Sequence, residues 1–277
     1  MRTIGGVVET PYFTVRAVEC ADDRAHWSAP ETSSGAEIVL VRRGLFRLDS
    51  QGHRVTADPT TGYIQRPGEE TRFAHPAGGD ACTSVTFTSD ALTDVIDAVR
   101  SPAVRVDARL ELAHRALLRA LPDPAFAAAE AVAALLRLAL RERPDAGPAP
   151  GREDLAALAR EAILAGGPES AGLVELAQAL EVSPSHLSRT FRHHVGVPVS
   201  RYRNRVRVSH ALERIEQGET DLASLAADLG FSDQAHLTRV MRDELGRTPG
   251  RVRALLSGGG AWGPADPATT RRRDDRP

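Results

Sequence analysis

Between Ser183 and Leu212 the chain carries six arginines, Arg189, Arg192, Arg201, Arg203, Arg205 and Arg207, and no acidic residue. A guanidinium can fork onto phosphate oxygens or onto the O6/N7 edge of guanine, so an acid-free arginine window is an electrostatic footprint for nucleic acid. The window stands out because the whole chain of 277 residues is balanced, with 35 basic and 37 acidic residues. No basic residue is lysine, which excludes a P-loop, a Schiff-base lysine and a kinase-type phosphate lysine. Arginine in place of lysine, with abundant Ala, Gly and Pro, looks like a G+C-rich coding bias. Charge alone therefore does not choose between a DNA contact and a solvated helix face.

Thiol chemistry has little to work with. Cys20 and Cys82 lie 62 positions apart and no CxxC occurs, so zinc ribbons and redox dithiols are not expected. Both read as buried apolar thiols in a reducing compartment. The start lacks a basic region followed by a long apolar run, and the most apolar stretch, 126–140, is broken by Glu130 and Arg137. The expectation is a soluble cytoplasmic protein with no membrane partner.

The elements that must position these residues fall into two halves. Up to about Thr88 the chain reads as short strands, among them 36–41, 44–48, 62–65 and 83–87, with a hairpin turn at Asp49-Ser50-Gln51-Gly52. Many short strands at close spacing predict a β-sandwich or small barrel. From Ser89 onward the pattern is helical. Ser89-Asp90 can cap a helix over 91–100, Asp107 one over 108–121, and Asp123-Pro124 one through about Arg141. Leu110, His114, Leu117, Leu118 and Leu121 share one face of the second of these. Three prolines and two glycines in 143–151 read as a linker, and the Gly/Pro/Arg-rich 257–277 as a disordered tail.

The C-terminal half contains a duplicated unit. Leu173, Leu176, Ala177, Leu180 and Ser183 recur at an offset of 49 as Leu222, Leu225, Ala226, Leu229 and Ser232. After the turn the offset is 50: His186-Leu187-Ser188-Arg189 matches His236-Leu237-Thr238-Arg239, and Arg192, Gly196, Arg201 and Arg203 match Arg242, Gly246, Arg251 and Arg253. Each copy makes sense as a helix-turn-helix. A short LxxLAxxL helix packs its Leu/Ala face inward, Ser183 or Ser232 caps the next helix, and Gly196 or Gly246 ends it. Within the second helix Leu187/Leu237 and Phe191/Met241 face the core, four residues apart. The residues between them, with Arg189 and Arg239, face out, as major-groove reading requires. A joining helix from Val199 to about Gln217 has Tyr202, Val206, Ala211, Leu212 and Ile215 as its apolar stripe, with Arg201, Arg203, Arg205 and Arg207 on the other side.

These residues resemble the AraC/XylS-type transcriptional regulators, whose C-terminal domain is two helix-turn-helix units joined by a long helix. The strongest match runs from Gly230-Phe231-Ser232-Asp233-Gln234-Ala235-His236-Leu237-Thr238-Arg239 through Met241, Gly246 and Thr248-Pro249 to Arg251-Val252-Arg253. Val182 to Arg192 is the corresponding stretch of the first unit. Glu181 departs from the pattern, since it stands where a turn glycine is usual. A left-handed backbone there costs on the order of 1 kcal/mol. Met241 and Val252 replace a usual Phe and Tyr but stay apolar.

The resemblance implies an α+β architecture: a cupin-like β-barrel with helices over 1–142, a linker over 143–151, an all-α domain with two helix-turn-helix units over 152–256, and the tail. The first half would be a sensor or dimerisation domain. A cupin metal centre is not expected, because His26, Glu31 and Glu37 form no His-x-His pattern, Thr71 or Arg72 stands where a ligand His belongs, and His75 is out of register. No cofactor, metal or catalytic residue is expected, and the chain does not read as an enzyme. The resemblance implies double-stranded DNA as partner, RNA polymerase as a second, a homodimer, and a small-molecule effector of unknown contacts. Base readers would be Ser185, Ser188 and Arg189 in the first unit and Gln234, Ala235, Thr238 and Arg239 in the second. Phosphate contacts would be Arg192, Arg201, Arg203, Arg205 and Arg242. Two rival readings are a cupin-type enzyme with a DNA-binding appendage and a protein-interaction regulator that has lost DNA binding. The sequence does not choose between activation and repression.

Overall fold

The computed structural model describes residues 2–257, apart from 22, 90–92, 95, 97–98, 100, 124–125 and 141–152. The expected linker, the tail beyond Ser257 and most of the expected helix over 91–100 lie outside the described residues.

The strand-rich half forms two antiparallel sheets. The larger contains β1 (Arg2–Glu9), β2 (Phe13–Cys20), β4 (Ala36–Arg43), β7 (Thr61–Gln65), β9 (Asp80–Phe87) and β10 (Ala103–Arg105), in the order β1-β2-β9-β4-β7-β10. The smaller contains β3 (Glu31–Thr32), β5 (Phe46–Ser50), β6 (His53–Ala57) and β8 (Glu70–Ala74), in the order β3-β8-β5-β6. The β5–β6 hairpin turns at Gln51-Gly52 with both φ angles positive, the geometry that matches strand twist. Period-2 alternation decides what each sheet face meets. Val18, Val39 and Val41 of the larger sheet meet Phe46, Leu48 and Val55 of the smaller one, and the rings of Phe46, Tyr63 and Phe73 fill the space between the sheets. The opposite face of the larger sheet, with Val15, Ile38, Leu40 and Val85, is covered by α1 (Ala108–Ala120) and α2 (Ala127–Ala139).

The helical half consists of α3 (Glu153–Ala165), a 3-10 turn at Pro168–Ser170, α4 (Leu173–Ala179), α5 (Pro184–Val195), α6 (Val199–Glu216), α7 (Leu222–Asp228), α8 (Gln234–Leu245) and α9 (Pro249–Leu256). One core gathers Leu176, Ala177, Leu187, Phe191, Tyr202 and Val206, and a second gathers Leu212, Leu225, Ala226, Leu237, Met241 and Val252. The expected stripe of the joining helix is buried along its length, so α6 serves both cores.

Two caps differ from expectation. Asp233, not Ser232, caps α8: its carboxylate accepts from the His236 N–H at 2.6 Å, while Ser232 Oγ lies 3.1 Å from His236 Nδ1. The helix expected from Asp123-Pro124 begins at Ala127, with Asp123 accepting from the N–H groups of Phe126 and Ala127. A carboxylate satisfies the free amides of a first turn from either placement.

Candidate nucleic-acid interface

The two helix-turn-helix units present the same outward face. Ser183 Oγ accepts from the His186 N–H at 3.2 Å and starts α5; Asp233 does the same for α8. Gly196 and Gly246 end these helices at φ 77° and 69°. Leu187 and Phe191, and likewise Leu237 and Met241, are fully buried, which fixes the rotation of each helix about its axis. Positions 185, 189 and 192 of α5 are then exposed, with Ser188 half-buried. Gln234, Ala235, Arg239 and Arg242 of α8 are exposed, with Thr238 half-buried. The structure thus brings every sequence-derived base candidate onto one of two equivalent faces. Arg189 Nε donates to the Ser185 carbonyl at 3.3 Å.

The turn between the two short helices of each unit is left-handed in both copies. Gly230 has φ 71° and Glu181 φ 55°. A Cβ at Gly230 would come within 2.8 Å of the Arg207 guanidinium, which lies 5.6 Å over the Phe231 ring. The reason for glycine is therefore conformational in both copies: the atom nearest a Cβ at Gly230 is the mobile end of the Arg207 side chain, and Glu181 is exposed.

The phosphate candidates separate. Arg192 and Arg242 lie exposed at the last turns of α5 and α8, and Arg201 is exposed with Glu244 at 3.7 Å. Arg203 is half-buried and donates to the carbonyls of Ser170 (3.3 Å) and Ala171, tying the 3-10 turn to α6. The expectation for Arg205 is corrected: it is only 6% exposed and donates to the Val106 carbonyl at 3.0 Å and to Glu111 at 3.3 Å. The spacing of Arg201, Arg203, Arg205 and Arg207 suggested one basic face. A helix turns about 100° per residue, so alternate residues do not share a face, and Arg205 points into the strand-rich half.

Sequence reasoning also missed how the two halves join. Asp58, in the turn between β6 and β7, is fully buried. Its carboxylate accepts from Arg160 of α3, from the Tyr202 hydroxyl of α6 at 2.6 Å, and from the Thr60 hydroxyl and N–H at 2.7 Å. Burial, with the Asp58 carboxylate alongside, pushes the Tyr202 hydroxyl well above its ordinary pKa, so it remains a donor. A second network centres on buried Glu111, which accepts from Ser209 at 2.6 Å, from Arg205, and from Arg115; Arg115 also donates to Glu216 at 2.8 Å. Its signal in the sequence was Glu111 flanked by core positions on α1, with Arg115 one turn on, but nothing local named Arg205 and Ser209, 94 and 98 positions away.

Comparison with known proteins places the helical half. A family model described as a helix-turn-helix domain matches residues 176–254. The arabinose operon regulatory protein of Escherichia coli (strain K12) is 32% identical over 82 residues, 30% of this chain and 28% of that one. The HTH-type transcriptional activator RhaS of Pectobacterium carotovorum is 31% identical over 67 residues, 24% of each chain. The chain thus spans under a third of the length of these relatives. Among solved structures, ToxT from Vibrio cholerae O395 aligns over 89% of this chain and 99% of its own, at 9% identity and a TM-score of 0.35. The C-terminal domain of AraT from Geobacillus stearothermophilus aligns over 36% of this chain and 84% of its own, at 24% identity and a TM-score of 0.34. Residues 176–254 of this chain are a helix-turn-helix domain of the AraC/XylS type, the kind that transcriptional regulators carry.

Proposed function

We propose that the protein is a sequence-specific DNA-binding transcriptional regulator and not an enzyme. The observation that carries the reading is the pair of equivalent outward faces on α5 and α8, each started by a side-chain cap, rotated by two buried core residues and held to the other by the single helix α6. Such helices enter successive major grooves and read base edges from their N-terminal halves. Ser185, Ser188 and Arg189 read in the first unit, and Gln234, Ala235, Thr238 and Arg239 in the second. Arg192, Arg242 and Arg201 contact phosphates. Arg203 and Arg205 leave that set, because intramolecular carbonyls and Glu111 hold them. The strand-rich half (1–142) acts as sensor or dimerisation domain and the helical half (152–256) as the DNA-binding domain, with RNA polymerase the further partner.

The reading is tested by separating two kinds of arginine. Arg239→Ala is expected to cost about 1–3 kcal/mol on the specific site and to relax preference at one base pair. Arg242→Ala is expected to weaken specific and random DNA alike and to reduce the salt slope by roughly 1. The measurement is fluorescence anisotropy of full-length protein on a selected site and on random DNA at several salt concentrations. Equal losses on both DNAs for Arg239→Ala, with a changed salt slope, would make Arg239 a phosphate clamp and the assigned reading face wrong.

A further inference from the structure

Past the end of β8, three ligand-type side chains that are distant in sequence converge. Cys20 closes β2, Asp80 opens β9 directly opposite it in register, and His75 begins the turn between β8 and β9. Cys20 Sγ lies 3.9 Å from His75 Nε2, and His75 Nδ1 lies 2.7 Å from Asp80 Oδ2. One ligand atom from each residue falls within 4.8 Å of the other two. The backbone is fitted to this approach: a Cβ on Gly79 would lie 2.8 Å from the Cys20 carbonyl oxygen, so only glycine lets the turn seat against the end of β2. The His75 N–H donates to the Arg24 carbonyl at 2.8 Å, and its ring packs on Phe46, with centroids 5.7 Å apart.

The His75–Asp80 contact is close but lacks hydrogen-bond alignment. His75 Nδ1 and Asp80 Oδ2 are shut off from water, and neither makes an aligned hydrogen bond despite their closeness. Asp80 meets His75 at Nδ1 and Cys20 meets it at Nε2, so an ion held by all three residues takes one ring nitrogen and replaces the present contact between His75 and Asp80. Thiolate, imidazole and carboxylate together are the donor set of a borderline-soft divalent ion.

We propose that Cys20, His75 and Asp80 form a binding site for a divalent transition-metal ion of the zinc class. Tetrahedral ligand atoms at bond lengths of roughly 2.0–2.3 Å stand about 3.3–3.8 Å apart, which small side-chain rotations reach from the present positions. Three protein ligands leave a fourth position, and the partial exposure of Cys20 and His75 turns it toward solvent. The site is not the one the cupin resemblance would supply. That site belongs near Thr71 at the start of β8, whereas this cluster lies beyond the other end of the strand.

The test uses full-length protein stripped of metal by a chelator, with zinc for affinity and cobalt(II) for spectroscopy. One equivalent of zinc and a thiolate-to-cobalt charge-transfer absorption are expected for the wild type. Cys20→Ser is expected to abolish that absorption, and Cys20→Ser and His75→Ala each to weaken zinc binding by about tenfold or more. Cys82→Ala leaves both unchanged. Independently of any variant, zinc slows alkylation of Cys20 by iodoacetamide, read by peptide mass. The proposal is overturned if the wild type takes up no zinc at micromolar concentration, if binding survives both substitutions in variants with wild-type circular dichroism, or if zinc leaves the Cys20 alkylation rate unchanged.

Discussion

His114 shows how far a single residue's surroundings can carry it from its ordinary chemistry. It lies in α1, 3% exposed, and its Nε2 has no hydrogen-bond partner. Burial, then the positive charges of Arg115 and Arg42, lower its pKa from 6.5 to about 3. The folded state therefore binds fewer protons there than the unfolded state between about pH 3 and 6.5. Its contribution to stability is complete above about pH 6.5 and is lost as pH falls through that window, at up to about 1.4 kcal/mol per pH unit. Urea denaturation of wild type and His114→Leu at pH 7.5, 6 and 5 should show the wild type losing more stability on acidification. Parallel losses in the two proteins would mean that His114 is solvated or paired. The position was legible in the sequence as part of a helical apolar stripe. Its burial was not, because the same spacing fits a histidine at the rim of the stripe.

At the scale of the element, the left-handed turns of the two helix-turn-helix units offer an internal comparison. Gly230 and Glu181 occupy equivalent places with φ of 71° and 55°. The glutamate side chain is exposed, so its main effect is the backbone cost of a β-carbon in this region. Glu181→Gly should therefore stabilise the protein by about 1 kcal/mol in equilibrium denaturation, partly offset by the greater freedom of glycine in the unfolded chain. A loss of stability would show that Glu181 makes a contact worth more than its strain. The repeat made this turn predictable: two copies of one unit must turn the same way to pack the same Leu and Ala residues, so the φ of one copy implies that of the other. The caps were less legible. Ser232 and Asp233 are adjacent and both have a side-chain oxygen, and only the path of the backbone selects Asp233.

At the scale of the whole molecule, α1 is the element that both halves share. Leu110 and Leu117 pack with the larger sheet, while Ala108 and Leu112 pack with α6, α8 and the rest of the second unit's core. The Asp58 and Glu111 networks lie across the same boundary. Breaking a buried ion pair from one side leaves the partner charge uncompensated, at about 3–5 kcal/mol. A double-mutant cycle with Asp58→Asn and Tyr202→Phe, read by denaturation, should give a coupling of about 1–3 kcal/mol. Strict additivity would show that the strand-rich half and the first helix-turn-helix unit do not hold one another through this contact. The coupling bears on function because Tyr202 lies on the helix that joins the two reading units, so its hydroxyl links their support to the barrel.

The sequence by itself determined the two helix-turn-helix units and the helix between them: hydrophobic spacing, glycine stops and a duplicated pattern are local, and each restricts the backbone within a few residues. It also determined which residues of α5 and α8 face outward, since a helix with two known core positions has only one outward face. The strand-rich half was legible as the short strands of a sandwich or small barrel but not in its strand order, because pairing order is a matter of contacts between distant segments. Only the tertiary structure decided that Arg205 turns inward to Glu111, that Asp58 is held from two helices of the other half, and that Cys20, His75 and Asp80 meet at one end of the barrel. Each of these depends on a polar side chain meeting its partner across 55 or more positions, and no periodicity records which of many such groups will be brought together.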